Sequence, residues 1–97
     1  MKYHIYCVYI LECADKSYYT GVTGDLEKRL EEHYSGFHPE CTTFLKRPVT
    51  LKFSESYQFI YDAISREKQI KGWSRKKKEA LINADFEELK KLAKNRM

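Results

Sequence analysis

A chain of 97 residues has room for one domain, expected here to span residues 1–97. Hydrophobic residues make up 42% and charged residues 33%, which suits a packed core and argues against disorder. The formal net charge is only +4, no apolar run approaches the roughly 20 residues of a membrane span, and Met1-Lys2-Tyr3-His4 opens no signal peptide, so the expectation is a cytoplasmic protein with no membrane contact.

Residues 3–12 (YHIYCVYILE) are mostly β-branched, aromatic or otherwise apolar and predict a strand buried on both faces. Asp15-Lys16 signals a turn, and Ser17 to Val22 reads as a second strand in an antiparallel hairpin. Thr23-Gly24-Asp25 offers capping groups, and Leu26, Leu30 and Tyr34 recur at i+4. A helix is therefore predicted from about residue 24 to Ser35, stopped by Gly36. Pro39, Pro48 and Thr42-Thr43 make residues 37–48 a loop. Val49, Leu51 and Phe53 alternate with polar residues up to Ser56, as in a half-buried strand. A second helix follows from about Gln58 to Lys71, ended by Gly72. Ser74 and Asp85 cap two short helices, the latter with Glu88 closing a capping box. The order β-β-α-β-α-α-α is an α+β fold: a small antiparallel sheet with helices packed on it.

Cys7, Cys13 and Cys41 are an odd number with no Cys-x-x-Cys spacing, so they read as free thiols of a reducing compartment. Charge is unevenly spread. Residues 1–34 hold four basic against six acidic side chains, whereas residues 66–78 hold seven basic ones against Glu67 alone. Arg75, Lys76, Lys77 and Lys78, with Lys71, form either a phosphate-attracting patch or an ordinary solvated helix face.

Three features carry chemistry. Arg29 and His33 are four apart on the first helix and fall at the margin where it meets the sheet, placed to hold a phosphate. The plainer alternative is a boundary pair with Arg29 bridging to Asp25 or Glu32. Glu67 interrupts the stripe Ile60, Ala63, Ile64, Ile70, a position the pattern assigns to the core. A buried carboxylate costs several kcal/mol unless a cation or partner offsets it, so Glu67 is either a metal ligand or an i,i+4 partner of Lys71. Tyr9 and Tyr19 come from adjacent strands of the hairpin and are expected roughly opposite each other, as core phenols or as reactive ones.

Taken in order, Cys7-Val8-Tyr9, then Tyr19-Thr20-Gly21, then Arg29, His33 and a helical Glu67 resemble the GIY-YIG nuclease domain. The likeness runs from residue 3 to about 82. It is greatest to small stand-alone bacterial members, which are similar to the N-terminal domain of the excinuclease C subunit. The strings Tyr-Thr-Gly-Val-Thr-Gly-Asp-Leu-Glu-Lys-Arg-Leu-Glu-Glu-His and Arg-Glu-Lys-Gln-Ile-Lys-Gly-Trp-Ser-Arg are distinctive of that group. The resemblance implies a DNA endonuclease core with a three-stranded antiparallel sheet and flanking helices. It implies one divalent metal, Mg²⁺ or Mn²⁺, on Glu67, with Tyr9 and Tyr19 lining the site and Arg29 and His33 handling phosphate and proton. One carboxylate, one cation, two phenols and an imidazole suit metal-assisted hydrolysis of a phosphodiester. Cys7 stands where the first motif has glycine and Thr20 is the middle residue of the second; neither position supplies a reacting group.

The leading expectation is thus a metal-dependent endonuclease acting on DNA, with RNA as the other candidate substrate. Its specificity would be low or structure-directed, its setting repair or recombination, and no partner protein is predicted. The runner-up is a nucleic-acid-binding module of the same fold that cuts little or nothing. An adaptor using exposed aromatics leaves Glu67, Arg29 and His33 unexplained.

Overall fold

The computed structural model describes residues 4–94, so the first predicted strand residue, Tyr3, and both extreme ends of the expected domain lie outside it. Val8, Tyr9, Ile10 and Leu11 of β1 (Tyr6–Glu12) are all fully buried, which requires a central strand covered on both faces. β2 (Tyr18–Thr23) and β3 (Thr50–Tyr57) flank it antiparallel, giving a three-stranded sheet in the order β2-β1-β3.

Period-two alternation sends the β1 side chains to two different partners. Val8 and Ile10 pack with Ala63 and Ile70 of α2 (Ile60–Lys71), with Trp73, and with Leu81 of α3 (Arg75–Ile82). Tyr9 and Leu11 face the other way, with Cys13 and Val49, under Leu26 and Leu30 of α1 (Leu26–Ser35). α4 (Phe86–Lys94) adds Leu89 to the α2 side. The α+β order is as expected. Among the described residues no helix is long and apolar enough to cross a membrane.

Local signals account for most boundaries. Asp25 accepts from Lys28 N at 3.1 Å and starts α1, while Gly36, at φ 71°, ends it in the left-handed conformation that glycine adopts freely. Ser74 caps α3 by accepting from Lys77 N at 3.2 Å. Asp85 accepts from Glu88 N at 3.2 Å, but its own amide donates to Ala80 O at 2.8 Å, which takes the place of the return bond of the expected capping box. α2 begins at Ile60, without a side-chain cap, rather than at Gln58. Gly72 ends it at φ −82°, so the backbone there makes no demand for glycine.

β3 departs from its sequence pattern in one respect. A register shift sets Ile10 opposite Phe53 but Leu11 opposite Leu51. The extra residue reverses the facing across the bulge: Phe53 packs on the α2 side and Leu51 on the α1 side. On α1, Tyr34 was expected in the apolar stripe but is 49% exposed, and His33 takes the buried place instead.

Candidate active site

The register of the hairpin positions the two tyrosines. Tyr9 sits opposite Gly21, and Leu11 opposite Tyr19, so the phenols are diagonal neighbours rather than direct partners. Their ring centroids are 6.3 Å apart. Gly21 is required by space: a Cβ there would come within 2.5 Å of Tyr9 Cζ and Oη. The Tyr9 ring therefore lies across the β2 backbone where only glycine leaves room.

His33 of α1 stands edge-on to both phenols, at 5.7 Å from the Tyr9 ring and 5.3 Å from the Tyr19 ring. It is not at the margin of the helix, as its spacing suggests, but buried at 6% exposure. Its Nε2 is 2.9 Å from Tyr9 Oη, and its Nδ1 is 3.0 Å from Thr43 Oγ1. The Thr43 hydroxyl in turn donates to Cys41 Sγ at 3.4 Å. Arg29 does lie at the margin, with its guanidinium paired to Glu32 at 3.2 Å. Asp25, the other anticipated partner, is occupied by its cap.

Burial sets the proton states. It pushes the Tyr9 phenol well above its ordinary 10, helped by Tyr19 and opposed by Arg29. Burial, then Cys41, pushes Tyr19 up to about 12, with Arg29 opposing and Glu67 adding to the rise. His33 is held below 6.5 by burial and by the Arg29 charge, against Glu32. Burial opposes ionisation of Cys41, but hydrogen bonds from the Thr43 hydroxyl and amide and from Tyr19 outweigh it and lower its pKa. Near neutral pH the cluster thus holds two protonated phenols and an uncharged imidazole.

Glu67 approaches from the other side. It projects from α2, on the opposite face of the sheet, between the fully buried Ala63 and Ile70, and is itself 8% exposed. Lys71 Nζ caps it at 2.8 Å. Its charge adds last and least to the rise of the Tyr19 phenol, and among the described residues no hydrogen bond or ion pair joins it to the cluster. Tyr9, Tyr19, Arg29 and His33 are therefore brought together, with Thr43 and Cys41 as members that no sequence pattern announced.

The basic run is less continuous than its sequence. Lys71 and Lys78 are close enough for Lys71, after burial, to lower the Lys78 pKa, and Lys76 is exposed. Arg75 pairs with Glu79 at 3.1 Å and lies over the Tyr18 ring at 4.5 Å. Lys77 folds back with its ammonium 4.5 Å from the Trp73 ring and is 9% exposed. Arg29 also lines an open groove with His4, Asp25, Lys28, Glu32 and His38.

Residues 5–80 match the GIY-YIG catalytic domain. That span takes in both tyrosines, Arg29, His33, Thr43, Glu67 and the basic run. The chain belongs to the GIY-YIG family. It is 45% identical over 82 residues to a UPF0213 protein of Syntrophus aciditrophicus, covering 84% of this chain and 94% of that one. Two solution NMR structures are similar. A UPF0213 protein from Bacillus halodurans has a TM-score of 0.55 at 36% identity, covering 82% of this chain and 84% of that one. A protein from E. faecalis has a TM-score of 0.58 at 34% identity, covering 84% and 86%. GIY-YIG domains are nuclease domains that generally use a divalent metal ion.

The donor set here fits such an ion in a limited way. Among the described residues no three His, Cys, Asp or Glu side chains gather as a metal cage. Glu67 offers one buried carboxylate, which suits a hard cation that keeps water and phosphate oxygens as its other ligands.

Proposed function

We propose that this protein is an endonuclease hydrolysing phosphodiester bonds in DNA, or alternatively RNA, with one divalent metal, Mg²⁺ or Mn²⁺, held by Glu67. The observation that carries the reading is the Tyr9 Oη–His33 Nε2 contact of 2.9 Å inside a cluster flanked by Tyr19 and Arg29. A phenol paired with an uncharged imidazole can relay a proton. Tyr9 is closed to solvent in the free protein, so the substrate must open the site; as water then attacks phosphorus, Tyr9 Oη takes the water proton and passes its own to His33 Nε2. The phenol is never left as a free phenolate, which its raised pKa would oppose.

Arg29 binds a non-bridging phosphate oxygen and stabilises the extra negative charge of the transition state, exchanging its Glu32 contact for the substrate. Tyr19 narrows the site and exchanges its Cys41 contact for a phosphate oxygen when substrate binds. When bound, the cation supplies positive charge at the phosphate and the leaving oxygen. Glu67 must release Lys71 to hold it, and the freed Lys71, already exposed, joins Arg75, Lys76, Lys77 and Lys78 in drawing in the polyanion. Because two of these are engaged elsewhere, with Lys77 on Trp73 and Arg75 on Glu79 and Tyr18, Lys71, Lys76 and Lys78 carry most of the attraction.

The test is incubation of the protein with single-stranded, duplex, flap and junction DNA and with RNA, each with Mg²⁺, Mn²⁺ or chelator. Cleavage of at least one DNA substrate that chelator abolishes is the expected result. Tight binding with no cleavage under any metal would replace the enzyme with a binding module.

A further inference from the structure

We propose that Thr43, from the loop between α1 and β3, is a positioning residue that holds His33 in the Nδ1–H tautomer and so leaves Nε2 as a bare acceptor facing the Tyr9 hydroxyl. The consequence for cleavage rests on the nuclease reading above; the tautomer itself does not.

The argument is one of proton counting. An uncharged imidazole has one N–H and one bare nitrogen, so its two neighbours must play opposite parts. The contacts run in series: Tyr9 Oη to His33 Nε2 at 2.9 Å, His33 Nδ1 to Thr43 Oγ1 at 3.0 Å, and Thr43 Oγ1 to Cys41 Sγ at 3.4 Å. Only two proton orders satisfy this chain. In the first, Tyr9 donates to Nε2, Nδ1–H donates to Thr43, and the Thr43 hydroxyl donates to sulfur. In the second, the thiol donates to Thr43, the hydroxyl to Nδ1, and Nε2–H to the phenol oxygen.

The second order is disfavoured at both ends. It begins with S–H, the weakest donor present. It also leaves the Tyr9 O–H without an acceptor, although Tyr9 is fully buried: His33 Nε2 is the acceptor its hydroxyl has among the described residues, since Arg29, which also bonds it, can only donate. An unsatisfied buried donor costs its full desolvation, about 1–3 kcal/mol. The first order leaves no such orphan. Cys41 is suited to its part as acceptor, because the Thr43 amide and the Tyr19 hydroxyl also direct protons at its sulfur. Thr43 is 2% exposed, so bulk solvent does not compete for its hydroxyl. The chain runs from Tyr9 through His33 and Thr43 to Cys41, where Tyr19 also donates, and from Tyr9 to the sulfur its polarity runs away from Tyr9. That is the direction in which a proton taken from water must travel.

The tautomer is read directly from long-range ¹H–¹⁵N spectra of the histidine-labelled full chain, about two pH units above the ordinary imidazole value. His33 should show a pyrrole-like Nδ1 and a pyridine-like Nε2. Thr43→Val keeps the shape but removes the acceptor, and should lose that signature; Thr43→Ser should restore it. Cleavage should follow the same order, with the Val variant slower by about tenfold or more and the Ser variant near wild type. A pyrrole-like Nε2 in the wild type, or a Val variant that keeps a pure Nδ1–H form, overturns the proposal. Should the Val variant not fold, the wild-type and Ser spectra decide it. The two readings fail separately. An Nδ1–H His33 in a protein that cuts nothing sinks the nuclease and leaves Thr43 its role, whereas an Nε2–H His33 in an active enzyme does the reverse.

Discussion

The two faces of the sheet are built from alternate residues of the same strand, yet they obey different rules. On the α2 side, Val8 and Ile10 meet Ala63, Ile70 and Leu81, a core whose only requirement is volume. On the α1 side, Tyr9 meets His33, Thr43 and Tyr19, where each buried polar atom depends on the orientation of the next. Glu67 belongs to the first face by position, and its charge adds a little to the rise of the Tyr19 phenol on the second. One strand thus supports an apolar face and a hydrogen-bonded face, and under the proposed function changes on the two should separate stability from activity.

The largest separation should come at Glu67. Glu67→Gln keeps the shape and removes the charge a hard cation needs, so metal-dependent cleavage should fall by about a hundredfold or more. Lys71 is exposed enough to return to water, and the loss of a buried charge lifts its desolvation cost, so stability should hold or rise. Single-turnover cleavage and urea titration on the same samples measure both. A Gln variant that cuts like wild type would remove Glu67 from the mechanism.

Next is the contrast between neighbours Tyr9 and Ile10. Ile10→Ala opens a cavity in a fully buried site and should cost about 2–5 kcal/mol while leaving the rate of the folded fraction near wild type. Tyr9→Phe removes one oxygen, should cost about 1–3 kcal/mol by leaving His33 Nε2 unpaired, and should slow cleavage by about a hundredfold or more. If both variants lost activity only in proportion to their unfolded fraction, the α1 face would be core like the other.

What the sequence disclosed follows the same division. The central strand was legible because Val8 to Leu11 are apolar without a break, and the ends of α1, α3 and α4 because Asp25, Gly36, Ser74 and Asp85 act within a few residues of themselves. The β3 bulge was not, because its register is imposed by β1 and leaves no mark in the alternation of Leu51 and Phe53. Reading α1 by apolarity favoured Tyr34 over His33, since a helix pattern does not reveal that a histidine will find two partners inside. Thr43 lies in a loop with no periodicity, and only the folded chain brings it to His33. Among four consecutive cations, nothing local marks Lys77 as the one that folds onto Trp73.

The smallest expected effect is the most direct probe of the difference between the faces. His33 is held uncharged, with its pKa below 6.5, by burial and then by Arg29, with His38 adding to this and Glu32 opposing it. In the unfolded chain the imidazole takes up a proton near pH 6.5. Below that value the unfolded state binds a proton the folded state refuses, so this contribution to stability is complete above about pH 6.5 and is lost as pH falls toward the folded pKa. At the alkaline end the sign reverses: the Tyr19 phenol, pushed up to about 12 from 10.0, stays protonated after the unfolded phenol has ionised, and stability is lost as pH rises through that interval. Ile10 itself does not titrate, and neither do its neighbours Val8, Ala63 and Ile70. Urea midpoints between about pH 5 and 8 should therefore fall in parallel for wild type and Ile10→Ala, whereas His33→Asn should lose part of the acid slope. An Asn variant with the wild-type slope would mean that His33 takes up its proton as readily in the folded chain as in the unfolded one, so that burial does not hold it uncharged beside Tyr9.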